Sequence, residues 1–398
     1  MQIKGYDFNR RELSGALADL GTFLPLALAL IALNGVDAGA VFLSAGLLYI
    51  AAGWYFKLPI PVQPLKATSA IAIAIGATHS MLTATALCMA VFLLLAASFD
   101  LDKIIRWFFP LAIVRGIQLS LGFLMIKTGI ALIMDRRFLS GGAQMVFSLG
   151  GFTLPVGIPA AIIGLALILL LRNNPRFPAA LLVIAAGLII GVSVSKVNPE
   201  SLHLGWTVPV FKLPSLSDFT TALTVLFLPQ LPLTLANSVA ATADASRQYF
   251  GSQAEKVTHR ALAGSLGIAN LVVGLIGGIP LCHGAGGLTA HYRFGARSGG
   301  AGLIIGGIFV AAALLLGRSA STIFALLPLG ILGLLLVCNG VAHLLLLKDI
   351  VRQPARFALA TGMGVLSFLG SSPAPALMFG VIVSWLGKIL VAFSTGDP

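Results

Sequence analysis

Apolar runs long enough to carry an α-helix across a bilayer, about twenty residues each, recur from one end of this chain to the other. They fall at 15–33, 38–56, 80–98, 106–133, 155–171, 178–194, 218–242, 259–277, 300–317, 319–346, 356–370 and 374–394. Two further apolar stretches, 64–77 and 283–293, are too short to cross alone, and each follows an Ile-Pro break. Hydrocarbon offers no water to backbone N–H and C=O groups, so such a chain must satisfy them internally as helices. Composition agrees, with 58% hydrophobic and 10% charged residues where a soluble domain carries about 25% charged; mean hydropathy is +1.00. The expectation is an all-α polytopic membrane protein of fourteen segments, twelve full and two short.

The net charge of +12 does not point to nucleic acid, because the cations sit between apolar runs and do not gather on one face. With the N-terminus placed in the cytoplasm, sixteen Lys and Arg fall in inside loops and five in outside loops. That asymmetry places both termini in the cytoplasm, in the cell membrane, or the inner membrane of a bacterium. The other four cations, Lys66, Arg115, Lys127 and Lys388, lie within apolar runs. Cys88, Cys282 and Cys338 form no CxxC pair or metal spacing, so no disulfide framework, metal or cofactor is expected. The first apolar run lacks a small-residue cleavage site and reads as a retained helix. No P-loop, GxSxG or HExxH motif and no carboxylate pair in a plausible cleft is present. An enzyme is therefore not expected, and transport would draw on an ion gradient or membrane potential and not on ATP.

The chain also repeats itself. Leu24-Pro25-Leu26-Ala27-Leu28-Ala29 recurs as Leu231-Pro232-Leu233-Thr234-Leu235-Ala236, and Ile60-Pro61-Val62-Gln63 as Ile279-Pro280-Leu281-Cys282, in the same order. The wider spacing in the second half fits its polar loop at 246–258. Halves of seven segments, 1–200 and 201–398, must insert in opposite orientations because seven is odd. That is the 7+7 inverted-repeat design of secondary transporters, with the short third and tenth segments as half-helices meeting at mid-membrane.

A helix beginning inside the membrane presents unpaired N–H groups and the positive end of its dipole, which together suit an anion. In the first half Pro59 and Pro61 enforce an extended approach, Pro64 suits the first helical turn, Gln63 sits at the helix start and Lys66 in its first turn. A cation at a helix N-terminus is unfavourable unless an anion binds there; the alternatives are a carboxylate partner or snorkelling to the interface. In the second half Cys282, His283 and Gly284 occupy the matching place. The glycines there admit either a ligand or a tightly packed helix. His283 either donates to an anion or is a buried histidine bonded to a carbonyl. Thr22, Gln230 and Asn237 are polar groups near kinks expected at Pro25 and Pro232. Asp19 and Asp244 either serve a proton relay or pair with Arg297 or Arg247, the pairing being preferred. Arg115 and Lys127 are read as serving packing or the interface.

Taken together, Leu20-Gly21-Thr22-Phe23-Leu24-Pro25, Asn34-Gly35-Val36-Asp37, Pro61-Val62-Gln63-Pro64-Leu65-Lys66, Gln230-Leu231-Pro232-Leu233-Thr234 and Cys282-His283-Gly284-Ala285-Gly286-Gly287-Leu288 resemble the molybdate transporter family, distantly related to the sulfate permeases. Tyr292-Arg293-Phe294-Gly295-Ala296-Arg297 extends the likeness, which runs over nearly the whole chain. The resemblance implies import of molybdate by alternating access, with sulfate and tungstate as competitors. It implies a core domain from 14–100 and 218–317 and a gate domain from 104–196 and 319–394. The implied substrate-binding residues are Gln63, Lys66, Cys282, His283 and Gly284, with Thr22 and Gln230 beside them. Sulfate permeases append a soluble regulatory domain; this chain ends at Pro398 just after its last apolar run, so none is expected. A coupled proton or other ion, the lipid bilayer and a second copy in a homodimer remain as partners. The competing readings are a nucleobase or organic-anion carrier of the same fold, against which the absence of carboxylates from both short segments weighs, and a channel, which a saturating uptake rate would exclude.

Overall fold

A computed structural model describes residues 2–3, 6–99, 110–140, 142, 144–149, 152–171, 179–195, 205–206, 213–370 and 373–395. The described part is almost wholly helical: α1 Arg10–Ala18, α2 Leu20–Asn34, α3 Ala38–Phe56, α4 Lys66–Ile75, α5 His79–Ala96, α6 Leu111–Ile133, α7 Gly157–Leu171, α8 Ala179–Ser195, then the long α9 Leu216–Ala254. α10 His259–Ile276, α11 Ala285–Arg293, α12 Gly300–Ala325, α13 Leu329–Leu345, α14 Pro354–Gly370 and α15 Pro373–Thr395 follow. Among the described residues seven helices are long and apolar enough to cross a membrane, or eight if the bent pair α1–α2 is one span. Large apolar side chains such as Leu170, Ile189 and Leu369 lie on the outer surface, as lipid contact requires and water would penalise.

Six short strands accompany the helices. β1 Gln2–Ile3 pairs with β2 Tyr6–Asp7, and β4 Val146–Leu149 with β5 Phe152–Pro155. The pairing that matters is between β3 Gln63–Pro64 and β6 Leu281–Cys282, buried in mid-molecule just ahead of the two short helices α4 and α11. Pro64 thus sits in a strand, not in the first helical turn. Extended backbone at this depth needs partners, and the opposite strand supplies them: Leu65 N–H donates to the Pro280 carbonyl at 2.9 Å.

Several boundaries differ from the sequence reading for identifiable reasons. α2 continues through Pro25 without a break, and a 42° bend lies at Asp19, between α1 and α2. There the Asp19 carbonyl accepts from Thr22 and Phe23 (2.9 and 3.0 Å) while its carboxylate is drawn elsewhere. Pro229 and Pro232, each without an N–H, lie in a short α-helical turn flanked by π-helical stretches Ala222–Phe227 and Thr234–Ala241, so the expected kink is spread over widened turns. Half of the polar loop at 246–258 is helical, with a 3₁₀ turn at Gly251–Ala254. Arg318 belongs to α12, not to a loop; the break comes later, where Pro328 precedes α13.

Tight packing holds the helices together. α3 lies along α12 and α6 along α13. A Cβ on Gly46 would meet the Gly306 carbonyl at 2.9 Å, and one on Gly306 the Gly46 carbonyl at 2.7 Å. Gly122 and Gly340 stand in the same reciprocal relation at 2.9 and 2.7 Å. Small residues at such crossings let backbones approach where hydrophobic driving force is absent. The rings of Phe23, Phe42 and Phe309 fill the space between α2, α3 and α12, with centroids 4.8 to 6.3 Å apart.

Candidate functional site

A cavity of about 440 Å³ lies where the two short helices begin. One wall is made by Thr22 and Leu26 of α2, Lys66 of α4, Gln230, Asn237 and Ser238 of α9, Cys282 of β6, and Ala285, Gly286 and Thr289 of α11. The opposite wall is made by Arg115, Gln118 and Met125 of α6, by Asn339 and His343 of α13, and by Leu346 just past it. No carboxylate is among the lining residues, and two cations are.

Lys66 is the first residue of α4. Among the described residues no carboxylate pairs with it, which removes the ion-pair alternative. The amides behind it are already occupied. Gln230 Oε1 accepts from Ala67 N–H at 2.8 Å and Thr68 N–H at 3.3 Å, while its Nε2 donates to Thr234 Oγ1 at 3.0 Å. Gln230 therefore caps α4, and this helix end offers a ligand chiefly its lysine. The end of α11 differs. Its N-cap is Gly284, which has no side chain to cap with, and its first residues Ala285 and Gly286 form cavity wall. Backbone amides and dipole there face the cavity.

Of the residues singled out from sequence, Thr22, Lys66, Gln230 and Cys282 line the cavity; Gln63, His283 and Gly284 stand behind it. His283 is fully buried. A carbonyl can only accept, so Nδ1 donates to the Pro61 carbonyl (2.8 Å) and Nε2 accepts from Ser265 Oγ (3.1 Å). This is the carbonyl-bonded alternative, and the ring clamps the start of one short helix to the approach strand of the other. Cys282 Sγ lies 3.8 Å from the Pro64 carbonyl across the same junction. Gln63 Nε2 donates to Asp19 Oδ1, leaving its Oε1 buried without a partner among the described residues. A Cβ on Gly284 would meet that Oε1 at 2.5 Å, so any larger residue would have to displace the Gln63 amide.

Asp19 is fully buried and pairs with neither Arg297 nor Arg247; it accepts from Tyr49 Oη (2.6 Å) and Gln63, with His291 Nε2 at 3.9 Å. Arg297 instead lies over the Tyr292 ring at 3.8 Å, its backbone N–H donating to Glu12. Asp244 is exposed and makes no ion pair among the described residues. Lys127 is exposed on α6.

Arg115 was read as a packing or interface residue, yet it faces the cavity. Its guanidinium makes a two-pronged contact with Asp349 and donates to Gln118 Oε1 at 2.8 Å. Asn339 and His343 were missed altogether. They stand four residues apart on one face of an otherwise apolar helix, a spacing that marks a polar stripe. Asn339 Nδ2 and His343 Nδ1 are buried with no partner among the described residues.

Comparison with known proteins bears on this site. A sequence profile described as "Molybdate transporter of MFS superfamily" matches residues 11–125 and 222–342, which carry every sequence-predicted site residue. The chain is 30% identical to "Molybdate transporter 2" of Arabidopsis thaliana over 95% of its own length and 87% of that protein. It is 29% identical to "Molybdate transporter 1" of Chlamydomonas reinhardtii over 97% of its length and 92% of that protein. In fold it is similar to the transmembrane domain of a cyanobacterial bicarbonate transporter, BicA, with a TM-score of 0.67 at 16% identity, covering 93% of this chain and 97% of that one. It is also similar to the murine anion transporter Slc26a9 in its inward-facing state, with a TM-score of 0.70 at 17% identity, covering 98% and 70%.

Proposed function

The chain belongs to the molybdate transporter family, and from that premise we propose that it imports molybdate by alternating access, binding the oxyanion in the cavity between α4 and α11. It is a transporter and not an enzyme, and a multi-pass integral membrane protein of an anion-transporter fold. The observation that carries the proposal is the cavity's charge: Lys66 and Arg115 face it, and no carboxylate does. A tetrahedral dianion needs charge-assisted donors from several directions. Lys66, the amides at the start of α11, and the hydroxyls of Thr22, Ser238 and Thr289 supply them from one wall, and Arg115, Asn339 and His343 from the other. Gln63, His283 and Gly284 act from behind, fixing the two short helices relative to each other. A nucleobase or organic-anion carrier of this fold would be expected to place a carboxylate at its site, and none lines this cavity.

The architecture we propose is fourteen segments in two inverted halves, 1–200 and 201–398, with both termini cytoplasmic. Support comes from helix pairs that exchange under such a relation: α3 packs on α12 as α10 packs on α5, while α6 and α13 pack on each other. β3 and β6, which would exchange under the same relation, pair with each other. The core would comprise 14–100 and 218–317 and the gate 104–196 and 319–394, so the two cavity walls belong to different bodies. Rocking one against the other would open the cavity to each side in turn.

Calorimetric titration of the purified protein with molybdate, with sulfate in competition and a Lys66→Ala variant alongside, tests the reading. Saturable molybdate binding that resists excess sulfate is expected. Loss of one charge-assisted contact is worth about 1.5–3 kcal/mol, so the variant should bind about 10- to 150-fold more weakly. Equal binding by parent and variant would remove Lys66 from the site, and absence of binding to either oxyanion would overturn the substrate.

A further inference from the structure

On the outer surface, away from the substrate cavity, a groove of about 690 Å³ runs between α3 and α10 and ends at Ala97, just past α5. Its lining is mostly apolar and faces outward, with Ile268 60% exposed and Tyr55 48% exposed. Gly264 forms part of its floor, and a Cβ there would meet nothing within 4 Å, so the space is open. The polar end is cationic. Arg260 lines the groove, is exposed, and makes no hydrogen bond or ion pair among the described residues. The Lys256 ammonium lies 5.8 Å from the centre of the Tyr55 ring, which lines the same end. Glu255 is the neighbouring carboxylate, and it is not part of the lining. From Arg260 to Val272 the helix rises about 18 Å, close to the thickness of one leaflet of hydrocarbon, about 15 Å.

We propose that this groove binds one anionic phospholipid, its phosphate held by Arg260 and Lys256 and an acyl chain lying over Gly264. Two cations meet a phosphate, and no lining carboxylate is present to receive the amine of a zwitterionic headgroup. The groove's depth over a single leaflet fits one lipid and not a spanning partner. The site is one hydrogen bond from the transport machinery, since Ser265 on the groove wall donates to His283.

The test is native mass spectrometry of the full chain released from vesicles of equal phosphatidylglycerol and phosphatidylcholine. It reads lipid and not molybdate, so its result is independent of the transport proposal. Attraction of two cations to an anionic headgroup should give retention of one phosphatidylglycerol on the order of tenfold over phosphatidylcholine. A Lys256→Gln/Arg260→Gln variant should lose that preference while still retaining lipid. Gly264→Leu, whose Cβ meets nothing within 4 Å and whose side chain would extend from the groove floor, should retain neither lipid. Equal retention of both lipids by the parent, an unchanged preference in the double variant, or full retention by Gly264→Leu would each overturn the proposal.

Discussion

Gly286 and Gly287 are adjacent in α11, yet adding one methyl to each should have opposite consequences. Neither has a positive φ, so alanine is conformationally acceptable at both. At Gly287 the new Cβ would lie 2.6 Å from Asp19 Oδ1, 2.7 Å from Pro61 Cβ, and against Gln63 Nε2. Optimal carbon contacts are about 3.5–4.0 Å, so these atoms must move. They are poorly placed to do so: Asp19 and Gln63 are fully buried and bonded to each other, and the Pro61 carbonyl is held by His283. Overpacking costs about 1–3 kcal/mol and breaking the Gln63–Asp19 bond about 1.5–3, offset by about 1 kcal/mol of helix propensity. The net expectation is destabilisation of about 1.5–5 kcal/mol. At Gly286 the Cβ would meet nothing within 4 Å, because it projects into the cavity. There alanine should leave stability unchanged or raise it by about 0.4–1 kcal/mol. It should keep the anion from the α11 amides, weakening molybdate binding by about tenfold or more. Thermal unfolding followed by tryptophan fluorescence, paired with calorimetric molybdate titration, separates the two. A Gly287→Ala protein as stable as the parent, or a Gly286→Ala protein less stable than Gly287→Ala, would refute the packing described for this junction.

Gln230→Leu should cost about 2–6 kcal/mol in unfolding measurements, because it strands the Ala67 and Thr68 amides at about 1–3 kcal/mol for each buried orphan. Gln230→Glu keeps the cap, so it should unfold near the parent temperature yet lose molybdate binding in calorimetry, since it puts a carboxylate on the cavity wall. Asp349→Asn should cost less than about 1 kcal/mol, as the carboxylate is 44% exposed. It should tighten molybdate binding by freeing the charge of Arg115, whereas Arg115→Gln should weaken it. His343→Leu replaces a buried nitrogen that has no partner among the described residues, so thermal stability should hold or rise while the rate of molybdate uptake into proteoliposomes falls.

What the sequence reveals follows from which signals are local. Helix-long apolar runs are local, and the helices fall where those runs predict them, apart from end shifts such as Arg318. The Ile-Pro repeats are also local, and they mark the strands that lead into α4 and α11. Lys66 was legible because an isolated cation in an apolar run demands an explanation. The partners of each polar group were not legible, since they come from distant segments: Gln230 caps a helix 163 residues away, and His283 bonds a carbonyl 222 residues away. Nothing near Asp19 in sequence marks Tyr49 and Gln63 as its partners, and arginine was the reasonable guess for a buried carboxylate. The second cavity wall shows the same limit. Arg115 is another cation in an apolar run and Asn339 belongs to a polar stripe on α13, but that both face one site emerges only when α6 and α13 pack together across the space from Lys66.

From sequence both short helices offer an anion free amides and a positive dipole end, and the structure argues for a division of labour. A capped terminus has spent part of its capacity to bind an anion, because the donors that face the ligand and the donors that satisfy the cap are the same amides. α4 is capped by Gln230 and contributes a formal charge through Lys66; α11 begins at a residue with no side chain and contributes bare amides. The difference matters for selectivity. A lysine attracts any anion, whereas amides fixed on a helix reward a ligand whose oxygens match their spacing. Charge from α4 and Arg115 would therefore set how tightly oxyanions are held, and the geometry around Gly284–Gly286 which of them is held best. Substitutions at Lys66 should lower affinity for molybdate and sulfate alike, and Gly286→Ala should change their ratio. A Lys66→Ala protein with an altered molybdate-to-sulfate ratio and a Gly286→Ala protein with an unaltered one would invert that assignment.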